Sequence, residues 1–146
     1  MAYETIETEI RDSVGFINFN RPDQLNTFNS TLAGEFNHAL ADFEQDSAVR
    51  AIVVQGKGKA FCAGIDVNEL AGKNGLDYYL WVSRMEEMSV RISKMGTPVI
   101  AGVQDLAVAN GIAIVASADL AVAAHGARFG ATAVNVGLFC MGPAVA

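Results

Sequence analysis

Cysteine is scarce in this sequence. Cys62 and Cys140 are the only two in 146 residues, far apart and outside any CxxC spacing. Neither a thiolate zinc site nor a disulfide framework is therefore encoded. Free thiols are the expected state, as in a reducing compartment. Positive charge is also in short supply, with ten Lys and Arg against 16 Asp and Glu and a net charge of −6. That balance argues against nucleic acid or an anionic membrane as partner. It leaves room for a small anionic ligand, because backbone N–H groups hold anions without side-chain charge. No uninterrupted apolar run is long enough to span a bilayer. The longest, around Leu106 to Ala124, is broken by Asn110, Ser117 and Asp119 and reads as buried core. A secretory signal is not expected, since Met1-Ala2-Tyr3-Glu4 has neither a basic n-region nor an apolar h-region. The expected location is cytoplasmic. What is present is apolar bulk: 51% hydrophobic residues against 18% charged, enough for one folded domain over 1–146.

The periodicity changes along the chain. Tyr3 to Ile10 alternates, Arg11-Asp12-Ser13 is turn-like, and Val14 to Phe19 is strand-like again, which predicts a hairpin. Arg21-Pro22-Asp23 ends it, because proline cannot donate to a ladder. From Ser30, as N-cap, the apolar positions Leu32, Phe36, Ala39, Leu40 and Phe43 follow a helical face. Arg50 to Gln55 reads as a buried strand. Asp66 and Glu69 have capping-box spacing, so a helix is expected from Asp66, interrupted by Gly72 and Gly75. A longer helix follows, with Leu76, Leu80, Met85, Met88, Ile92 and Met95 on its stripe, and Gly96-Thr97-Pro98 stops it. Pro98 to Val103 is a second buried strand, Asn110 to Ala118 a small-residue helix, and Asp119 to Ala124 a third strand. This order of strand, then helix, several times over, points to an α/β layered fold. The sequence ends at "GPAVA" with no closing element, as in a chain cut short.

Two segments share one pattern: Val54 to Asp66 and Val103 to Gly111 each run from a strand through small residues into a helix start. Such a junction exposes N–H groups that no intrahelical carbonyl can reach. Spacing alone leaves two readings open, simple tight turns or a pair of donors converging on one oxygen.

The residues "GKAFCAGIDVNEL" (58–70) resemble the first signature of the crotonase (enoyl-CoA hydratase/isomerase) superfamily, K-A-F-x-A-G-x-D-hydrophobic. "GFINFNRPDQLNTFNSTLAGEF" is similar to its N-terminal segment, and "TPVIAGVQDLAVANGIAIVASADLAVAAHGARFGATAVNVGLF" to its second signature. The resemblance implies a crotonase-like spiral of ββα units, here partial, with the C-terminal helical part missing. It implies a coenzyme A thioester as substrate, no tightly bound cofactor, and no metal. By position, the oxyanion-hole donors would be the backbone N–H groups of Ala63 and Asn110. The coenzyme A adenine and ribose would lie against the loop carrying Lys59, Ala60, Phe61, Gly64, Ile65 and Asp66. Lys57 and Lys59 either screen its phosphates or are ordinary surface lysines. The family's homotrimer is not expected, because the helices that build it would lie past Ala146.

The second loop departs from the family pattern G-hydrophobic-A-x-G-G-G-x-E. Asp105 replaces its first glycine, Ala109 and Asn110 two of the triplet, and Ala113 the hydratase glutamate. "FGATA" puts Thr132 and Ala133 where the second glutamate of F-x-x-P-E would fall. Alanine can neither activate water nor protonate a carbon. Substitutes are few. Asp105 is a base if desolvation raises its pKa, and otherwise a polar residue at a strand end. Cys140 is a nucleophile or an inert thiol. Thr132 and Asn135 hold water or a carbonyl, or merely bond within their loop. Asp119 reads as structural, His38 and His125 have no triad partner visible in sequence, and Met85, Met88 and Met95 read as core filler. The readings that remain are an acyl-CoA enzyme, an acyl-CoA-binding protein and an inactive fragment.

Overall fold

Two β-strands, β1 (Ile6–Arg11) and β2 (Val14–Phe19), form the antiparallel hairpin expected, and the computed structural model describes residues 3–136 in all. Asp12 and Ser13 make the turn, both at positive φ. Helix α1 (Ser30–Gln45) follows, then β3 (Ala51–Gly56), β4 (Ala60–Cys62) and α2 (Gly75–Ile92). Next come β5 (Val99–Val103), β6 (Leu106–Val108), α3 (Asn110–Ser117), β7 (Leu120–Ala123) and β8 (Arg128–Gly130). Short 3-10 turns occupy Pro22–Gln24, Val67–Leu70 and Ala133–Val136. Cys140 lies outside the described residues.

The strands separate into two sheets. One runs β1-β2-β3-β5-β7 and the other β4-β6-β8. Beyond the first hairpin every pairing is parallel. The chain therefore winds in repeats: a strand of the large sheet, a short strand of the small sheet, then a helix. This is the partial crotonase-type spiral of ββα turns. The three-residue strands β4, β6 and β8 were not legible in sequence, since three residues carry no measurable period.

Burial explains where each element sits. Phe19 packs edge-on against Phe28 and Phe36 and tilted against Phe61, with ring centroids 5.2 to 5.7 Å apart, so aromatic rings fill the space between the sheets and α1. In α2 the inward residues are Trp81, Met85, Met88 and Ile92. Leu76 and Leu80, expected on that stripe, lie exposed on the opposite side. Among the described residues β7 ends the large sheet, with Leu120 and Val122 at 64% and 67% exposure.

Two helix starts differ from expectation. The cap of α1 is Asn29, whose side chain accepts from Leu32 N–H at 2.8 Å, and Ser30 is already helical. Asp66 caps only the 3-10 turn, by accepting from Asn68 N–H. Its would-be partner Glu69 instead accepts from Ser30 N–H, Ser30 Oγ and Trp81 Nε1 at 2.7–2.9 Å. The capping box that starts α2 is Asn74 with Asp77.

Candidate functional site

Strands β4 and β6 are parallel neighbours, with Ala60 opposite Leu106 and Cys62 opposite Ala107. Their carboxyl ends therefore lie side by side, and the two small-residue loops leave from the same edge. Contact between the loops is close. A Cβ added to Gly64 would lie 2.9 Å from Ala109 Cβ, and one added to Gly111 would lie 2.4 Å from the Cys62 carbonyl oxygen. Glycine is required at both positions, and Gly64 also has φ +100.

The first loop is held from behind by the segment after β2. Asn26 is fully buried and satisfied at both ends of its amide. Its Nδ2 donates to the carbonyls of Lys57 and Ala60 at 2.9 and 2.8 Å, and its Oδ1 accepts from Arg21 N–H. Arg21 also donates to the Thr27 carbonyl and pairs with Asp66 at 2.9 Å. Ala63 N–H donates to the Leu25 carbonyl at 3.0 Å. That corrects the sequence expectation, because an amide already bonded to protein is not a free donor for a ligand. Two residues on, the situation reverses. Phe28 donates to the Gly64 carbonyl and accepts from Asp66 N–H, each at 2.7 Å, as in a parallel bridge to Ile65. The residue so bracketed turns its own N–H away from its partner. Ile65 N–H has no acceptor among the described residues, and neither motif nor composition singled it out over Ala63.

The second loop ends in α3. Asn110 is the first residue of that helix, so its N–H has no intrahelical acceptor, and none is found among the described residues. Its side chain is turned aside, with Nδ2 donating to the Met85 carbonyl at 3.3 Å. Ala109, just before it, donates its N–H to the Gly130 carbonyl and stands at φ 48, ψ −115. The helix adds its positive end at Asn110.

The remaining candidates separate clearly. Lys59 is exposed. Ala60 and Phe61 are buried in β4, with Phe61 in the aromatic core, so their side chains are unavailable to a ligand. Asp66 is committed to Arg21 and Asn68. Burial opposes its ionisation, but the Arg21 guanidinium and the Asn68 bonds outweigh that and hold its pKa low. Asp105 does not stand with the two loop amides. It sits at the far end of β6 in a two-pronged ion pair with Arg128, 3.0 and 3.2 Å, which in turn raises the Arg128 pKa. Cys62 is buried, and desolvation pushes its thiol up to about 12. His38 binds Tyr3 Oη and Asp42 on the exposed side of α1. Asp119 accepts from Val99 N–H, and Asn135 N–H bonds the Thr132 carbonyl within its own turn. Met85 and Met88 are core.

Paired sheets wound in ββα repeats, with two loop amides at one strand edge, make a crotonase-type α/β fold. The sequence profile for "Enoyl-CoA hydratase/isomerase" matches residues 9–144. A probable enoyl-CoA hydratase of Rhizobium meliloti (strain 1021) is 36% identical over 140 residues, covering 94% of this chain and 53% of that protein. The crystal structure of an enoyl-CoA hydratase from Mycobacterium smegmatis is 35% identical, with a TM-score of 0.91, over 97% of this chain and 56% of that one. A putative enoyl-CoA hydratase/isomerase (crotonase) from Legionella pneumophila gives a TM-score of 0.90 at 31% identity, covering 99% and 56%. The chain belongs to the enoyl-CoA hydratase/isomerase family. It spans about half the length of the curated relatives it matches.

Proposed function

We propose that this chain binds the thioester group of an acyl-CoA and stabilises negative charge on its oxygen with the backbone N–H groups of Ile65 and Asn110. The observation that carries the reading is that both amides lack an acceptor among the described residues and sit on loops in van der Waals contact. Where single oxyanion donors have been removed, the loss is roughly 3–4 kcal/mol each, so two together are a substantial catalytic resource. The coenzyme A moiety would run past the loop at Lys59, Gly64 and Ile65, with exposed Lys59 near its phosphates.

Binding without hydration is the second reading. Its support is Ala113, buried in α3 where the resemblance puts a hydratase glutamate, and Ala133, where it puts the other. Amide NMR of 15N-labelled protein titrated with acetyl-CoA tests the site itself. Downfield movement of the Ile65 and Asn110 N–H signals, with Ala63 N–H unchanged, is expected. Saturable binding that moves neither signal would refute the donor assignment. Loss of the crotonyl-CoA absorbance then separates the readings: turnover favours a hydratase, and a thermal shift with acetyl-CoA but no turnover favours a binder.

A further inference from the structure

The loops supply backbone donors, and most carboxylates on and around them are already engaged. Asp66 pairs with Arg21, Glu69 holds Ser30 and Trp81, and Asp105 pairs with Arg128. Glu87 pairs with Arg91, and Asp77 closes the α2 capping box. Glu86 makes no ion pair or hydrogen bond among the described residues, yet it is half-buried.

Its location follows from covalent geometry. Asn110 Nδ2 lies 3.3 Å from the Met85 carbonyl oxygen. That oxygen belongs to the peptide unit leading into Glu86, about 2.8 Å from the next Cα, which places Glu86 Cα within about 6 Å of the Asn110 side chain. The glutamate side chain reaches about 5 Å further, by summing its bonds. Helix rotation agrees. Arg91 bonds Asn37 of α1, so α1 flanks one side of the buried Trp81–Met85–Met88 stripe. Glu86 lies about 100° round from Met85 on the other side, toward α3. Glu86 also borders a shallow concavity of about 500 Å3 lined with Ser83, Arg84, Glu87 and Val90, so it is reachable from solvent. Burial raises its carboxyl pKa, which suits a group that must take and return a proton.

From this placement we propose that Glu86 is the proton-transfer group of the site, standing in for the carboxylates that Ala113 and Ala133 replace. The inference rests on the thioester reading above. In the step, the Glu86 carboxylate takes a proton from the carbon next to the thioester carbonyl. The C–H electron pair forms the enolate C=C bond, and the carbonyl π pair moves to the oxygen held by Ile65 and Asn110. The C–S bond stays intact, and the reverse step returns a solvent-derived proton to carbon.

Hydrogen exchange tests this without assuming a final product. Butyryl-CoA is incubated with the protein in D2O, deuterium at the α-carbon is read by mass spectrometry, and butyryl-CoA binding is measured by calorimetry. Wild type is expected to exchange well above buffer. Glu86→Gln should lower the rate about 100-fold or more, with Kd within twofold, and Glu86→Asp should retain measurable exchange. Wild-type exchange undiminished in Glu86→Gln would overturn the role of Glu86, as would wild-type binding with no exchange. No wild-type binding of butyryl-CoA would sink the thioester reading and this one with it.

Discussion

Ala109 holds a backbone geometry, φ 48 and ψ −115, that glycine adopts freely and alanine does not. Such a residue stores about 1–3 kcal/mol of strain, kept here by the Gly130 carbonyl behind its N–H and by α3 ahead. Ala109→Gly should therefore stabilise the protein by about 1 kcal/mol despite the added freedom of the unfolded chain, raising Tm by about 3 °C. Calorimetry showing a lower Tm would mean that the methyl group earns its place by packing. Gly111→Ala should do the reverse, since its Cβ would fall 2.4 Å from the Cys62 backbone carbonyl oxygen, which is not the far end of a flexible side chain. Single-residue facts of this kind were only half legible in sequence. The resemblance pointed to both loops, which the structure brings side by side. It pointed to Ala63, and the contact that engages that amide, Ala63 N–H to the Leu25 carbonyl, joins residues far apart in sequence. A motif records which residues make a loop, not which of its amides the neighbouring loop consumes.

At the scale of elements, Glu69 ties three together. One carboxylate oxygen accepts from the first N–H of α1, from the Ser30 hydroxyl and from Trp81 Nε1 in α2. Hydrogen bonds to a charged group contribute about 1.5–3 kcal/mol each, and an indole N–H left unpaired in the interior costs more. Glu69→Ala should destabilise the fold by about 3 kcal/mol. Because Trp81 is the one tryptophan, its fluorescence emission reports the loss directly and should move to longer wavelength. An unchanged spectrum and urea midpoint would refute the tie. The same contact explains a misreading. Asp66 and Glu69 have the spacing of a capping box, but Glu69 is drawn away by Ser30 and Trp81, leaving only a 3-10 turn. The long strands β3 and β5 were readable because both are continuous apolar runs buried in the sheet centre. Alpha-helix α2 was readable in extent but not in orientation, since apolar residues occur on both its faces.

For the molecule as a whole, acid is the informative variable. Glu35 fastens the entry to β1 onto α1, accepting from Glu4 N–H, Thr5 N–H and Thr5 Oγ1. Burial pulls its pKa up, but those donors outweigh it and hold the folded-state value below the usual one. Asp66, with Arg21 and Asn68, is also held low. A carboxyl with a depressed folded pKa stabilises fully above its unfolded pKa, about 4 for both types. That contribution is lost as pH falls through the lower folded value. The urea midpoint should thus be flat from pH 7 to about 5 and fall steadily below about 4.5. Glu86 works in the opposite sense. Its raised folded pKa means that the charged form is disfavoured by folding, so its penalty is present at pH 7 and disappears as it protonates. The two effects can be separated by substitution. Glu35→Gln should be less stable than wild type at pH 7 and should converge with it as pH falls through the lowered folded-state pKa of Glu35, because protonated Glu35 and Gln accept equally weakly. Glu86→Gln should match or exceed wild type at pH 7 and lose that advantage in acid. If Glu35→Gln instead ran parallel to wild type at every pH, the donors around Glu35 would be contributing nothing through its charge. The acid sensitivity of the fold would then rest on the Arg21–Asp66 pair, which steadies the same loop that presents Ile65.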